Sequence, residues 1–230
     1  MEANTLRPFV FINIAVSADG KMDTYERKGA TISSAEDKVR VDGLRAGSDA
    51  VMVGGHTLLG EDPKLTVKSA ALRAERVARG LTSNPIKVGI VTCADIRPDS
   101  NFLNFGEARR VIFTTEKTSK IQVEFLREQG VEVHIHPAAH VDLVKALTTL
   151  TGLGVNRLMV EGGGTLNFEL FRLGLVDELT MYIAPMIFGG ASAPAAAAGA
   201  GFARNDAIPL RLVKSEVLPD GGVVIQYSLR

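Results

Sequence analysis

Cysteine occurs once, at Cys93, in a chain of 230 residues. That single thiol excludes an internal disulfide framework and every zinc or iron–sulfur site built on several cysteines. A reducing cytosol is the default compartment. Net charge is absent too, because 26 Lys plus Arg balance 26 Asp plus Glu. Without an overall field, neither nucleic acid nor an anionic membrane is an expected partner, and any anion must be recruited by local charge. No apolar run approaches the ~20 residues of a membrane span. The stretch 1–16 has an acidic second residue and no cleavage-like site. A soluble, cytoplasmic protein is expected. Two nucleotide signatures are missing as well. There is no GxxxxGK-S/T loop, which argues against a P-loop hydrolase, and no strand–GxGxxG unit near the N-terminus to open a doubly wound dinucleotide domain.

What is present is a chain that is 46% hydrophobic, enough to bury a large core. No linker divides it, so a single domain over 1–230 is expected. Residues 9–16 are a near-continuous apolar run with β-branched and aromatic members, the mark of a strand buried on both faces. Further strands are read at 49–54, 86–91, 111–115, 131–136 and 157–160. Helical spacing follows Ser34, a plausible N-cap, and recurs at 70–80, 121–129 and 141–150. The 70–80 segment has a basic face and reads as a surface helix. Residues 177–184 alternate, and 210–218 and 223–229 are joined by Pro219-Asp220-Gly221-Gly222, a hairpin signal. The expected fold is α/β: a mostly parallel central sheet flanked by helices, with an antiparallel C-terminal hairpin. Cys93 is expected to be small and buried. Residues 191–201, nearly all Ala and Gly, are expected to form a loop without core-forming capacity. His134, His136 and His140 lack suitably spaced carboxylate or cysteine partners, so strand-edge polarity is preferred to a metal site.

The stretch around which the chain is organised is 155–173. A short apolar strand ends in Glu161, three glycines follow, and a helix opens near Thr165. A turn of consecutive glycines lets a phosphate approach bare backbone, and a helix start favours an anion. Such turns also occur only to pack a helix closely, and both readings stand. A second glycine turn, Gly54-Gly55-His56-Thr57, also lies at a strand's C-terminal end, where ligands collect in open α/β sheets. Both turns are expected to line one crevice, with a phosphorylated ligand, a dinucleotide above all. Ser17, Asp19 and Lys21 lie at the exit of the first strand and serve either a cleft or the Asp19-Gly20 turn alone. Asn13, a buried amide within that strand, must find backbone or ligand partners. Lys68 is either a phosphate contact or an ordinary solvated cation.

Taken together, Ser17-Ala18-Asp19-Gly20-Lys21, Leu44-Arg45-Ala46, Val53-Gly54-Gly55-His56-Thr57-Leu58-Leu59, Glu61-Asp62-Pro63-Lys64-Leu65-Thr66-Val67, Val160-Glu161-Gly162-Gly163-Gly164-Thr165-Leu166 and Val176-Asp177-Glu178-Leu179 resemble the reductases of riboflavin biosynthesis. That family has a dihydrofolate-reductase-like fold. The match is to its stand-alone archaeal and fungal type and to the C-terminal reductase domain of bacterial bifunctional deaminase-reductases. The resemblance implies a homodimer that uses NADPH to reduce the ribosyl side chain of 2,5-diamino-6-(ribosylamino)-4(3H)-pyrimidinone 5′-phosphate to the ribityl form. It implies that Ala15, Thr57, Glu61, Thr92 and the turn Gly162, Gly163, Gly164, Thr165, Leu166 and Asn167 hold NADPH. Gly29, Arg45, Leu65, Lys68 and Glu161 would face the small phosphorylated substrate. For the chemistry itself the catalytic candidates are Asp19 and Glu161, either of which could donate a proton or steady a cationic imine, the alternative being that both only hydrogen-bond sugar hydroxyls. Three positions depart from many relatives: Glu61 replaces Asp, Lys68 replaces Arg and Gly29 replaces Ser. A lysine keeps the charge but loses the bidentate fork. One cysteine cannot supply the zinc set of a nucleobase deaminase, so a dedicated reductase of the aminated substrate is expected. Reduction of the deaminated pyrimidine or of a pterin, and NADPH binding without catalysis, are the alternatives.

Overall fold

The computed structural model describes residues 7–229, so residues 1–6, part of the stretch read above as lacking a cleavage-like site, and Arg230 lie outside the described part. The described chain divides into two compact units, each assembled from separated stretches: residues 7–9 with Asp42–Met159, and Val10–Val41 with the segment from Val160 onward.

In the first unit the apolar runs form β2 (Ala50–Gly54), β3 (Ile86–Ile90), β4 (Arg110–Thr115) and β5 (Val131–His136), paired in parallel in that order. Strand β6 (Arg157–Val160) lies beside β2 on the other side. Parallel strands need helical crossovers that cover the sheet. Accordingly Val51, Met52, Val53, Val88, Ile112 and Phe113 have no exposed surface. The crossovers are α2 (Ala70–Ala78), α3 (Asn101–Asn104), α4 (Lys120–Glu128) and α5 (Leu143–Gly152). Each begins at a side-chain cap: Ser69, Ser100, Ser119 and Asp142 accept N–H bonds from Leu72, Leu103, Gln122 and Lys145 at 3.1–3.3 Å. The Asp142 cap is why α5 starts two residues later than its spacing alone implies.

In the second unit β1 (Phe9–Ser17) pairs in parallel with β7 (Glu178–Ala184). Strand β9 (Val223–Ser228) pairs antiparallel with β7, and β8 (Arg211–Val217) with β9. Helix α1 (Ala35–Ala46) opens on Ser34, whose Oγ accepts the Asp37 N–H at 3.1 Å. Ile32, Tyr182, Ala184 and Val224 form a core cluster, and the Tyr182 hydroxyl donates to Asp220 in the hairpin turn. A Cβ on Gly222 would sit 2.3 Å from the Tyr182 ring, so this turn needs glycine there for close approach. Helix α6 (Gly164–Arg172) follows the three-glycine turn, one residue ahead of Thr165.

Three expectations need correction. Cys93 is exposed, not buried, at the mouth of β3. Helix α2 is not simply a surface helix: Arg76 is 2% exposed, and its guanidinium donates to the carbonyls of Ala46, Ser48 and Thr82 at 2.7–2.9 Å. Those carbonyls at the C-terminal end of α1 have no intrahelical partners and are costly to bury unpaired. Residues 191–201 do pack. Ala193 is buried, the Ala198 N–H donates to the Gly164 carbonyl at 2.9 Å, and a Cβ on Gly199 would collide with the Phe168 ring. Small side chains here permit close backbone approach and do not signal a loose loop. His136 is buried with its pKa lowered by desolvation, while His134 bonds Glu132 at 2.8 Å and stacks on Phe113.

Candidate functional site

In the second unit, the candidate residues at the exit of β1 form a knot. Ser17 is fully buried, accepts the Lys21 N–H at 3.0 Å and donates to Asp19 Oδ1 at 2.6 Å. Asp19 also accepts the N–H groups of Phe188 at 3.2 Å and Gly189 at 2.7 Å. The Ser17 hydroxyl, with these backbone donors, lowers the Asp19 pKa to about 2. Such a carboxylate is ionised across the physiological range and has no proton to donate. Asp23, buried and not among the sequence candidates, accepts the N–H groups of Gly29 and Ala30, both at 2.9 Å. It fixes Gly29 at a left-handed φ of 79°. The only sequence signal for Asp23 is its place within the polar loop after β1.

The glycine turn belongs to the same unit. Its Gly162–Gly163 peptide is cis, and Gly162 has φ 95°. Gly163 stands at the N-cap of α6 without a side-chain bond, whereas α1 to α5 all start on a capping side chain or, for α1, on Ser34. The glycines answer to different constraints. A Cβ on Gly162 would meet nothing closer than 3.9 Å, whereas one on Gly164 would lie 2.4 Å from the Ala195 carbonyl oxygen. Gly164 therefore serves packing, and Gly162 serves φ and open space. Asn167 is fully buried; its Nδ2 donates to the Ala196 carbonyl at 2.8 Å, and its Oδ1 has no partner. Asn13 Oδ1 is likewise buried without a partner. Thr165 is exposed, Leu166 is buried, and Glu161 is half-buried at the head of the turn. Ala15, in contrast, packs against the Tyr182 cluster within the sheet.

In the first unit, β2 runs into Gly54-Gly55, and a Cβ on Gly55 would approach Val91 Cγ2 to 3.0 Å. A π-helical turn, Thr57–Glu61, follows, with Thr57 buried and Glu61 exposed. Asp62 ends it at a left-handed φ of 46° and caps α3 through the Asn101 N–H at 2.8 Å. Arg45, Leu65 and Lys68 are brought together: Arg45 Nη1 donates to the Thr66 carbonyl at 3.1 Å, between the other two. Leu65 has no exposed surface, and Lys68 is exposed. Leu65 thus shapes the loop from beneath. Thr92 stands apart from this group, its carbonyl accepting the Thr115 hydroxyl at 2.7 Å. A small cleft nearby is lined by Leu58, Leu59, Asp62, Ile96, Arg97 and Ser100, among others.

A family model described as the RibD C-terminal domain matches this chain over residues 8–224. The chain belongs to that family. Among its relatives, the 2,5-diamino-6-ribosylamino-4(3H)-pyrimidinone 5′-phosphate reductase of Archaeoglobus fulgidus is 39% identical over 219 residues, which is 95% of this chain and 97% of the relative. The protein of the same name from Methanothermobacter thermautotrophicus is 38% identical over 226 residues, 98% of this chain and 100% of the relative. Among solved structures, a pyrimidine reductase-like protein from Corynebacterium diphtheriae superposes with a TM-score of 0.84 at 20% identity, covering 96% of this chain and 91% of that one. The riboflavin biosynthesis reductase Rib7 of Saccharomyces cerevisiae gives 0.69 at 21% identity, covering 99% and 92%. The mostly parallel sheet with an antiparallel C-terminal hairpin, read from the sequence, is thus the architecture of this RibD family.

Proposed function

We propose that this RibD-family chain is a dedicated reductase. It reduces the ribosyl side chain of 2,5-diamino-6-(ribosylamino)-4(3H)-pyrimidinone 5′-phosphate to the ribityl form in riboflavin biosynthesis. The observation that carries this reading is near end-to-end similarity to two proteins bearing that reductase name. Residues 1–230 act as one reductase domain, since a single family model runs through both compact units.

The cofactor is NADPH, which when bound supplies the hydride. The three-glycine turn fits its diphosphate: the start of α6 lacks a capping side chain and the space beside Gly162 is open. In the same unit Ala15, Gly162, Gly163, Gly164, Thr165, Leu166 and Asn167 serve the cofactor, as do Thr57, Glu61 and Thr92 in the other. Gly29, Arg45, Leu65, Lys68 and Glu161 serve the substrate.

The substrate's ribosylamine opens to an imine, C1 receives a hydride, and a proton goes to the exocyclic nitrogen. Asp19, ionised down to about pH 2, holds the Phe188–Gly189 backbone and contributes negative charge. Glu161 is the carboxylate left to move a proton. Arg45 and Lys68 hold the 5′-phosphate away from the reacting carbon, so binding energy there orients C1. A cytoplasmic location accords with this metabolic role, and no described helix is long and apolar enough to cross a membrane.

The active protein is a homodimer. Strand β8 is exposed at every residue, with Leu212 57%, Val213 54% and Val217 73% accessible. An exposed edge strand that carries Leu212, Val213 and Val217 among its charged residues offers unpaired backbone and apolar side chains for pairing with a second copy.

Oxidation of NADPH by the purified protein, dependent on the aminated substrate, tests the reading. Faster turnover of the deaminated pyrimidine or of dihydrofolate would replace the substrate, and cofactor binding without turnover would remove the enzyme.

A further inference from the structure

The backbone of residues 65–69 is held more tightly than loop packing requires. The buried Asp42 carboxylate accepts the Lys68 N–H at 2.6 Å and the Ser69 N–H at 2.8 Å, and Asn84 Oδ1 accepts the Val67 N–H at 2.9 Å. From the other direction Arg45 Nη1 reaches the Thr66 carbonyl, and Arg73 Nη1 reaches those of Val67 at 2.9 Å and Lys68 at 2.7 Å. Leu65 enters this segment at a left-handed φ of 50°. A bulky side chain in that region is an outlier that persists only where its surroundings over-determine it, and such outliers gather at ligand sites.

Charge is the second observation. Two guanidinium groups grip successive carbonyls of one short segment, with the Lys68 ammonium between them in sequence. Consecutive Cα atoms are about 3.8 Å apart, so the three anchoring residues span no more than roughly 8 Å. Among the described residues, neither Lys68 nor Arg73 makes an ion pair. The one carboxylate bonded to the segment, Asp42, has both oxygens turned to backbone N–H groups. Arg73 spends only Nη1 on the backbone, which fixes the plane of its fork and leaves Nε and Nη2 as donors. Two cations without counter-ions, Lys68 and Arg73, on an over-determined loop are what a preorganised oxyanion site requires.

We propose that Arg73 is a third phosphate-binding residue, completing with Arg45 and Lys68 a site for the dianionic phosphate monoester of the substrate. It returns the planar fork that a lysine at position 68 lacks. Asp42 is a positioning residue that presents Lys68. This inference rests on the reductase reading for the identity of the phosphate ester, but the anion site itself does not need it.

Arg73→Met and Arg73→Lys would be compared with the unaltered protein in two assays. One is calorimetric binding of ribose 5-phosphate against ribose. The other is turnover of the phosphorylated substrate against its dephosphorylated counterpart, with thermal unfolding followed in parallel. Arg73→Met is expected to raise the KM for the phosphorylated substrate and the ribose 5-phosphate Kd about tenfold or more. The dephosphorylated substrate's KM and the NADPH Kd stay unchanged, and Arg73→Lys recovers part of the loss. If KM rises equally with and without the phosphate, Arg73 only supports the loop and the proposal is overturned. Arg73-dependent binding of ribose 5-phosphate by a protein that turns over neither substrate would retain the anion site and remove the reductase reading. Turnover with phosphate preference untouched by either variant would do the reverse.

Discussion

Asp19 and Gly189 are tied by a 2.7 Å bond from the Gly189 N–H to Asp19 Oδ2, which makes a conspicuous acidic residue of the chain a clasp for a distant loop. With Oδ1 engaged by Ser17 and Phe188 as well, three donors favour the ionised form of this carboxylate.

The two carboxylates are therefore expected to separate on mutation. Asp19→Asn should lower kcat less than tenfold while making the 185–195 segment easier to cleave by protease. Glu161→Gln should cost on the order of 10²–10⁴ in kcat, the usual worth of a general acid. The pH dependence carries the same distinction. The Asp19 pKa is depressed from 3.8 to about 2, so its stabilising contribution is complete above about pH 4 and lost as pH falls toward 2. No limb of the activity profile between pH 5 and 9 should vanish in Asp19→Asn. A loss as large as that of Glu161→Gln, at unchanged KM, would restore Asp19 as a proton donor.

Gly162 and Gly164 should respond differently to the same methyl group. In Gly164→Ala the new Cβ falls 2.4 Å from the Ala195 carbonyl oxygen, a backbone atom that cannot rotate away. Overpacking of this kind costs about 1–3 kcal/mol, and each kcal/mol moves Tm by about 2–4 °C at this chain length. In Gly162→Ala the space is open and only the φ of 95° is strained. Its Tm should fall as well, yet residues 191–201 should keep their protease resistance. Calorimetry and limited proteolysis of both variants check this; equal loosening of 191–201 would refute the division of roles.

Much of the architecture was readable because its causes are local. The apolar run of β1, the Ser34 cap and the Pro219–Gly222 turn each specify their own geometry within a few residues. What escaped depends on partners far along the chain. Arg76 looked solvated because the carbonyls it satisfies belong to Ala46 and Ser48, nearly thirty residues away. Residues 191–201 looked structureless because small side chains advertise no burial until Gly164 and Phe168 press against them. Cys93 looked buried by residue type, although its strand had already ended. Arg45 and Lys68 are proposed for the phosphate through motif resemblance, whereas Arg73, proposed from its bonds to the 67–68 carbonyls, lies in the basic face of a helix five residues past Lys68, with nothing local to mark it.

Strand β8 should set the oligomeric state. Replacing Val217, 73% exposed, with Asp, or Leu212 with Lys, places a charge that a buried edge cannot pair. Either variant should shift sedimentation toward a monomer, while its circular dichroism remains that of the unaltered chain. An unaltered chain already monomeric at assay concentration, or dimers indifferent to both charges, would move the interface elsewhere or remove it.

Lys87 gives a prediction whose sign can be worked out. It stands in β3 with no exposed surface, and its ammonium donates to the carbonyls of Asn101, Phe102 and Phe105 at 3.2, 3.2 and 2.6 Å. These belong to α3 and the residue after it, so a buried cation closes the C-terminal end of a four-residue helix whose N-terminal end Asp62 caps. Desolvation, and next the Arg110 charge, lowers the Lys87 pKa from 10.5 to about 8. Below pH 8 the folded and unfolded chains both carry this proton, so the cost of burying the charge is constant. Between about pH 8 and 10.5 the unfolded chain holds the proton and the folded chain has released it. Stability should therefore rise with pH in that window, by an upper bound of about 3 kcal/mol, against whatever other groups contribute. Urea midpoints at pH 7.5, 8.5 and 9.5, compared between the unaltered chain and Lys87→Met, isolate the effect as a difference. The variant should be less stable throughout, since three carbonyls lose their donor, and its deficit should widen as pH rises through 8. A deficit that stayed constant, or narrowed, would mean that Lys87 keeps its proton inside the fold.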